Sequence, residues 1–160
     1  MIRPVAATDS KADLVALGAS TGIFEPGEAE MLLGDTLDQL QANALGNHHH
    51  AFVAVDDATG AIDGWVYFSV MKDTDRVWNL WWIGVAPARQ GKGVGRQLME
   101  FVEGFVRQQD GRILLVETSA TERLAKTRAV YARLGYTNCG TIPDFYADGD
   151  GKVTFWKRIL

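Results

Sequence analysis

Three glycines alternate over five positions, Gly91-Lys92-Gly93-Val94-Gly95, where an apolar strand pattern gives way to an amphipathic helix pattern. No other segment constrains the fold as much. Glycine in a first helical turn costs about 1 kcal/mol relative to alanine. Close approach of a ligand to bare backbone compensates such a cost. A helix N-terminus carries unpaired N–H donors and a partial positive charge, which suit phosphate. Arg89, Lys92 and Arg96 accompany the glycines, and no acid stands between Ala86 and Arg96. The competing reading is a flexible strand-to-helix turn with solvated charges. Two other phosphate motifs fail. A P-loop needs Gly-Lys followed by Ser or Thr, and Gly93 follows Lys92. A dinucleotide fingerprint needs G-x-G-x-x-G, and Gly91, Gly93 and Gly95 have another spacing.

The elements around this junction are legible from periodicity. Ile2 to Val5 reads as a short strand, and Asp9 or Ser10 caps a helix to about Ala19. Pro26 opens a second helix, expected to run to Leu45 before Gly46 stops it. Three strands follow, Ala51 to Val55, Ala61 to Val70 and Arg76 to Val85, joined by turns into an antiparallel meander. Val94, Leu98, Phe101, Val102 and Phe105 have helical spacing. Arg112 to Glu117 is a nearly continuous apolar strand of the kind covered on both faces. Ala125 to Leu134 is a helix closed by Gly135. Tyr136 to Ile142 and Lys152 to Arg158 form a last hairpin around Asp148-Gly149-Asp150-Gly151. The order β-α-α-β-β-β-α-β-α-β-β is one mixed α/β sheet, mostly antiparallel and flanked by helices.

Composition removes other classes. At 160 residues the chain is expected to be a single domain spanning 1–160. A hydrophobic share of 47% and a charged share of 22% exclude a disordered, collagen-like or coiled-coil protein. The net charge of −4 argues against general nucleic-acid binding. No apolar run is long enough to span a membrane, and Met1-Ile2-Arg3-Pro4 lacks the apolar stretch of a signal peptide. With Cys139 as its one cysteine the chain forms no internal disulfide, so the expected setting is cytoplasmic. His48-His49-His50 has no Cys or spaced carboxylate companion and reads as a solvated loop; no metal is expected.

Gln90-Gly91-Lys92-Gly93-Val94-Gly95 resembles the Q/R-x-x-G-x-G/A signature of the GNAT N-acetyltransferase superfamily. Val130-Tyr131-Ala132-Arg133-Leu134-Gly135-Tyr136 is similar to the FYxxLGF segment of the same family, and the element order agrees. The resemblance covers nearly the whole chain and implies a GNAT-like fold with acetyl-CoA as donor. It implies that Gln90, Gly91, Lys92, Gly93, Val94, Gly95 and Arg96 bind the donor, the backbone N–H groups from Gly91 through Arg96 cradling the pyrophosphate. Ile83 and Val85 would pair by backbone with the pantetheine arm. In this fold that strand splays from the next, so the opening after Val85 and before Glu117 is the expected place of chemistry.

Transfer from a thioester to an amine needs a neutral amine, a stabilised oxyanion and a proton for the leaving thiolate. The resemblance gives the oxyanion a backbone N–H near Val85 and makes Tyr131 the acid for the thiolate. The residues alone also allow Tyr131 to be a core-edge aromatic. Many family members carry a glutamate on the strand before the glycine loop; Trp78 to Val85 holds no acid. Glu117 is the nearest candidate for the base, beside the alternatives of an amine anchor, a structural ion pair or water-relayed deprotonation. The family's asparagine before the last conserved helix is missing as well. Thr127 in that region reads as a helix N-cap, with a contact to the cofactor arm as the alternative. Phe24, Glu25 and Glu28, and Asp144, Phe145 and Tyr146, set acids among aromatics that suit a cationic amine. The expected activity is acetylation of a small-molecule primary amine by direct attack in a ternary complex. Acetylation of a protein or peptide, and a catalytically silent acyl-CoA-binding sensor, are the alternatives. No nucleic-acid or membrane partner is expected, and the resemblance allows a homodimer.

Overall fold

The structure, a computed structural model, describes residues 1–160. Its strands are β1 (Ile2–Pro4), β2 (His49–Val55), β3 (Ile62–Val70), β4 (Val77–Val85), β5 (Ile113–Ser119), β6 (Thr137–Ala147) and β7 (Asp150–Arg158). Its α-helices are α1 (Lys11–Ser20), α2 (Asp35–Gln41), α3 (Val94–Gln108) and α4 (Ala125–Arg133). The strands make one seven-stranded sheet in the order β1-β2-β3-β4-β5-β7-β6. The β4–β5 pair is parallel, while β1–β2, β2–β3, β5–β7 and β6–β7 are antiparallel. This is the mixed, mostly antiparallel α/β architecture that the periodicity predicts.

Two compact units divide the chain. The first comprises Met1–Ser69 and Trp82–Val102. Its core joins Leu14, Val15 and Leu17 of α1 with Leu33, Leu37, Val53, Trp65 and Trp82. The buried Trp65 indole donates to the Leu14 carbonyl at 3.1 Å, so this large residue is buried with its polar group satisfied. Ser10 caps α1, its Oγ accepting the Asp13 N–H at 3.2 Å.

Asp9, the other capping candidate, instead accepts both Arg3 guanidinium nitrogens at 2.8 Å and the Ala6 N–H at 2.7 Å. The Arg3 hydrogen bonds, then that of Ala6, hold the Asp9 carboxyl below its ordinary value of 3.8. A lowered folded-state value stabilises the fold above the ordinary value, and the stabilisation is lost as pH falls toward the folded value. Asp9→Asn should therefore flatten the stability profile between about pH 5 and pH 2, read by urea unfolding at each pH.

The second helical segment departs from the single helix expected between Pro26 and Leu45. A π-helical turn spans Glu30–Gly34, and α2 then runs only from Asp35 to Gln41. Leu33 and Leu37 are buried while Met31 and Leu32 are exposed. The chain leaves the helix through Asn43 at φ 53° and Gly46 at φ 80°. The last two of the three histidines also differ from the expected solvated loop. His49 and His50 belong to β2 and are half-buried, and His49 Nδ1 lies 2.6 Å from the Tyr67 hydroxyl.

The second unit comprises Val70–Trp81 and Glu103–Leu160. Trp78 packs edge-on against Phe105, with ring centroids 6.0 Å apart. The parallel ladder runs from Val77↔Ile113 to Leu80↔Val116, and β5 continues beside β7 as far as Ser119↔Lys152. Along β5 the even positions Leu114, Val116 and Thr118 are buried and the odd ones half-buried. The strand is thus fully covered on one face and partly on the other. β6 runs five residues beyond the expected Ile142, with a register shift between Ile142 and Ala147 that accommodates Pro143. Every residue of β6 is exposed.

Candidate active site

In the first unit, β4 leads into a 3₁₀ turn over Pro87–Arg89, an extended Gln90 and the glycines. Gly91 and Gly93 stand at φ 73° and 88°, a left-handed region that L side chains rarely adopt. A Cβ at either position would meet nothing within 4 Å, so the glycines serve backbone direction rather than tight packing. The Lys92 N–H bonds back to the Arg89 carbonyl at 3.4 Å, and the next amide to bond backward is that of Gln97, to the Gly93 carbonyl at 3.0 Å. That leaves the N–H groups of Val94, Gly95 and Arg96 without an intrahelical acceptor. Open space above the glycines and free donors at a helix start fit a pyrophosphate.

The side chains here differ from the basic cluster that the sequence suggests. Arg89 Nη2 lies 3.0 Å from both Asp56 Oδ2 and Asp63 Oδ2. Arg96 Nε pairs with Glu100 Oε1 one helical turn on, at 2.7 Å. Both cations are neutralised by acids outside the segment, 26 to 33 residues away in the chain for Arg89. Lys92 is exposed. The Gln90 side-chain amide donates to the Val85 carbonyl at 3.1 Å. Ile83 and Val85 are half-buried. On the same strand, Trp82 is buried and Trp81 is exposed.

In the second unit, Tyr131 is 4% exposed on α4, its ring 5.6 Å from Phe155 and 6.0 Å from Tyr136. Burial pushes its phenol well above the ordinary value of 10.0. Tyr131 also ends its helix: its carbonyl accepts the N–H groups of Leu134 and Tyr136 around Gly135. Thr127, read as an N-cap, lies inside α4. The cap position is Leu124, reached through a 3₁₀ turn over Glu122–Leu124, and no side chain caps the helix.

Glu117 is half-buried on β5, with Oε1 3.3 Å from Lys152 Nζ. The register makes Val116 and Phe155 direct neighbours and Glu117 and Thr154 the next pair. Successive residues point to opposite faces. Tyr131 packs on Phe155, so it and Glu117 lie on opposite faces of the β5–β7 ladder. On Glu117's face Lys152 Nζ sits 4.0 Å from the Phe145 ring centroid, and Phe145 stacks edge-on with Tyr146 at 5.1 Å. Burial, with the charges of Glu117 and Asp150, pushes the Tyr146 phenol up to about 12. Phe145 and Tyr146 are among the aromatics that the sequence suggests for a cationic amine, whereas Lys152 and the grouping of all three with Glu117 depend on register. The alternation of β7 signals only which of its residues share a face.

The glycine-lined helix start and the mixed sheet define an N-acetyltransferase that uses acetyl-CoA as its acyl donor. A model of the acetyltransferase (GNAT) domain matches residues 47–138, more than half of the chain, which belongs to the GNAT family. A GNAT-family protein from Desulfovibrio desulfuricans is similar over 100% of this chain and 99% of its own, with 29% identity and a TM-score of 0.90. The Escherichia coli ribosomal-protein-S18-alanine N-acetyltransferase shares the fold at a TM-score of 0.79 and 20% identity, over 99% of this chain and 93% of its own. An aminoglycoside 6′-N-acetyltransferase complexed with coenzyme A shares it at 0.75 and 16% identity, over 100% of this chain and 97% of its own. No helix is long and apolar enough to cross a membrane.

Proposed function

We propose that this enzyme transfers the acetyl group of acetyl-CoA to the primary amine of a small, cationic molecule, by direct attack in a ternary complex. The cluster of Glu117, Tyr146, Phe145 and Asp150 on one face of the second unit carries this reading. The Lys152 ammonium already sits here, 3.3 Å from Glu117 Oε1 and 4.0 Å from the Phe145 ring centroid, so the cluster holds an ammonium by charge and by the ring quadrupole, and Glu117 Oε2, Asp150 and Tyr146 remain for that of a substrate. Tyr131, on the other face, is assigned to the leaving sulfur.

The neutral amine nitrogen attacks the thioester carbonyl carbon, the C–S bond breaks, and the nitrogen gives up one proton. Tyr131 gives its phenolic proton to the departing thiolate and is reprotonated from solvent. Glu117, on the other face of the ladder from Tyr131, takes the proton released by the amine through water; Lys152 engages its Oε1, and Oε2 is assigned to that water. The N–H groups of Gly91 and of Gly93 through Arg96 hold the pyrophosphate, that of Lys92 being bonded to the Arg89 carbonyl; Gln90 braces the Val85 carbonyl, and Ile83 and Val85 line the pantetheine arm. A peptide acceptor is the second reading, supported by β6, whose full exposure suits strand addition.

Thiol release from acetyl-CoA against polyamines, aminoglycosides, amino acids and short peptides tests the reading. Turnover with small polyamines or aminoglycosides, and none with amino-terminal peptides, is expected. Turnover confined to peptides would replace the small-molecule reading by the second one. Tight binding of acetyl-CoA with no turnover on any amine would favour a sensor.

A further inference from the structure

We infer that Arg89, Asp56 and Asp63 form a clamp that holds the glycine loop in its phosphate-binding shape, making Arg89 a positioning residue for donor binding rather than a phosphate ligand. The inference rests on the assignment of that loop to the pyrophosphate.

Three ties fix the loop to the β2–β3 hairpin and to its own strand. The Ala86 N–H donates to the Asp63 carbonyl at 2.8 Å, where β4 ends. Arg89 Nη2 then bridges the side chains of Asp63, on β3, and Asp56, in the hairpin turn, each at 3.0 Å. The Gln90 amide closes back on the Val85 carbonyl at 3.1 Å. Asp56 is itself immobilised, its Oδ1 accepting the N–H groups of Ala58 and Thr59 at 2.9 and 3.0 Å. Asp63 is buried, an unusual place for a carboxylate unless it is paired.

The arrangement is built around Arg89 specifically. Its Nε is buried without a hydrogen-bond partner, so the guanidinium is turned inward toward the two acids. A cation placed this way is spent on the protein. Its removal would leave two carboxylates uncompensated beside a segment that must receive an anion. The clamp therefore acts twice. It fixes the turn that precedes two left-handed glycines, and it offsets part of the negative charge next to the phosphate cradle. Both effects belong to the free protein, so they act as preorganisation: the donor finds the N–H groups already aimed.

The test combines calorimetric titration of CoA with amide hydrogen exchange of residues 86–96 in the free protein. Arg89→Met should weaken CoA binding about tenfold and accelerate exchange across the segment. Arg89→Lys, which keeps the cation but not the planar guanidinium, should lie between the parent and Arg89→Met in both readouts. Adding Asp63→Asn and Asp56→Asn to Arg89→Met should recover part of the affinity by removing the stranded charge while leaving exchange fast. Thermal melts of each free variant separate this pattern from unfolding, and Asp56→Asn alone provides the milder lesion if Arg89→Met fails to fold. Unchanged exchange and unchanged CoA affinity in Arg89→Met would overturn the clamp while leaving the donor site intact. Failure of the unaltered protein to bind CoA would overturn the donor site itself.

Discussion

Gly93→Val is expected to abolish measurable CoA binding while the protein stays folded. Gly93 holds φ at 88°, and the left-handed region costs an L-residue about 1–2 kcal/mol, more for a β-branched one. The valine chain would relax toward negative φ and re-aim the N–H groups that follow. Charge-assisted hydrogen bonds contribute about 1.5–3 kcal/mol each, so losing two raises Kd about a hundredfold or more. The strain alone lowers Tm by only about 2–8 °C in a chain of this length. Gly95→Ala is the matched control. Gly95 has no left-handed φ, and an added Cβ would sit 3.6 Å from Val85 Cγ2, an ordinary contact. Alanine also favours the helix start, so CoA binding should survive with Tm unchanged or raised. The pair explains why a pattern of the form G-x-G/A tolerates alanine at its second glycine and not at its first. Calorimetry with CoA and a thermal melt of each variant suffice; parental affinity in Gly93→Val would remove the loop from the donor site.

The contrast between those two glycines marks what a sequence makes legible. The glycine loop was readable because its chemistry is local: the unusual φ values and the free amides lie within six residues. The element order is legible for the same reason, since the turns that bound β3 and the helical spacing along α3 are local patterns. The sequence places Arg89 in a basic patch beside the glycines and does not show its partners, because Asp56 and Asp63 come from another hairpin. One signal was available, since Asp63 is an acid inside the apolar run Ala61 to Val70 and an acid there needs a cation. The π-helical turn at Glu30–Gly34 left no such trace, because one extra residue in a turn leaves the apolar spacing nearly unchanged. Adjacency puts Val116 and Glu117 on opposite faces in any strand. Which face α4 covers follows only from the packing of Tyr131 on Phe155.

Tyr131→Phe should lower kcat by about 10²–10⁴-fold, the usual contribution of a positioned acid, with CoA affinity within about threefold of the parent. The split follows from packing. Phenylalanine keeps the ring against Phe155 and Tyr136 and removes only the hydroxyl, so α4 and the fold should persist. The pH profile carries a second signature. Burial raises the phenol above its ordinary 10.0, so it keeps its proton through the whole neutral and mildly alkaline range. Activity should therefore climb with pH as the acceptor amine loses its proton, with no fall from Tyr131 on approaching pH 10. Glu117→Gln should behave differently. It removes both the charge facing the amine and the assigned proton acceptor, so it should raise the KM of the amine and lower kcat most at low pH, while leaving CoA affinity unchanged. Single-turnover thiol release isolates the chemical step from product dissociation. Parental single-turnover rates in Tyr131→Phe would return this tyrosine to the core of α4 and leave the thiolate to depart unprotonated or to draw its proton from water.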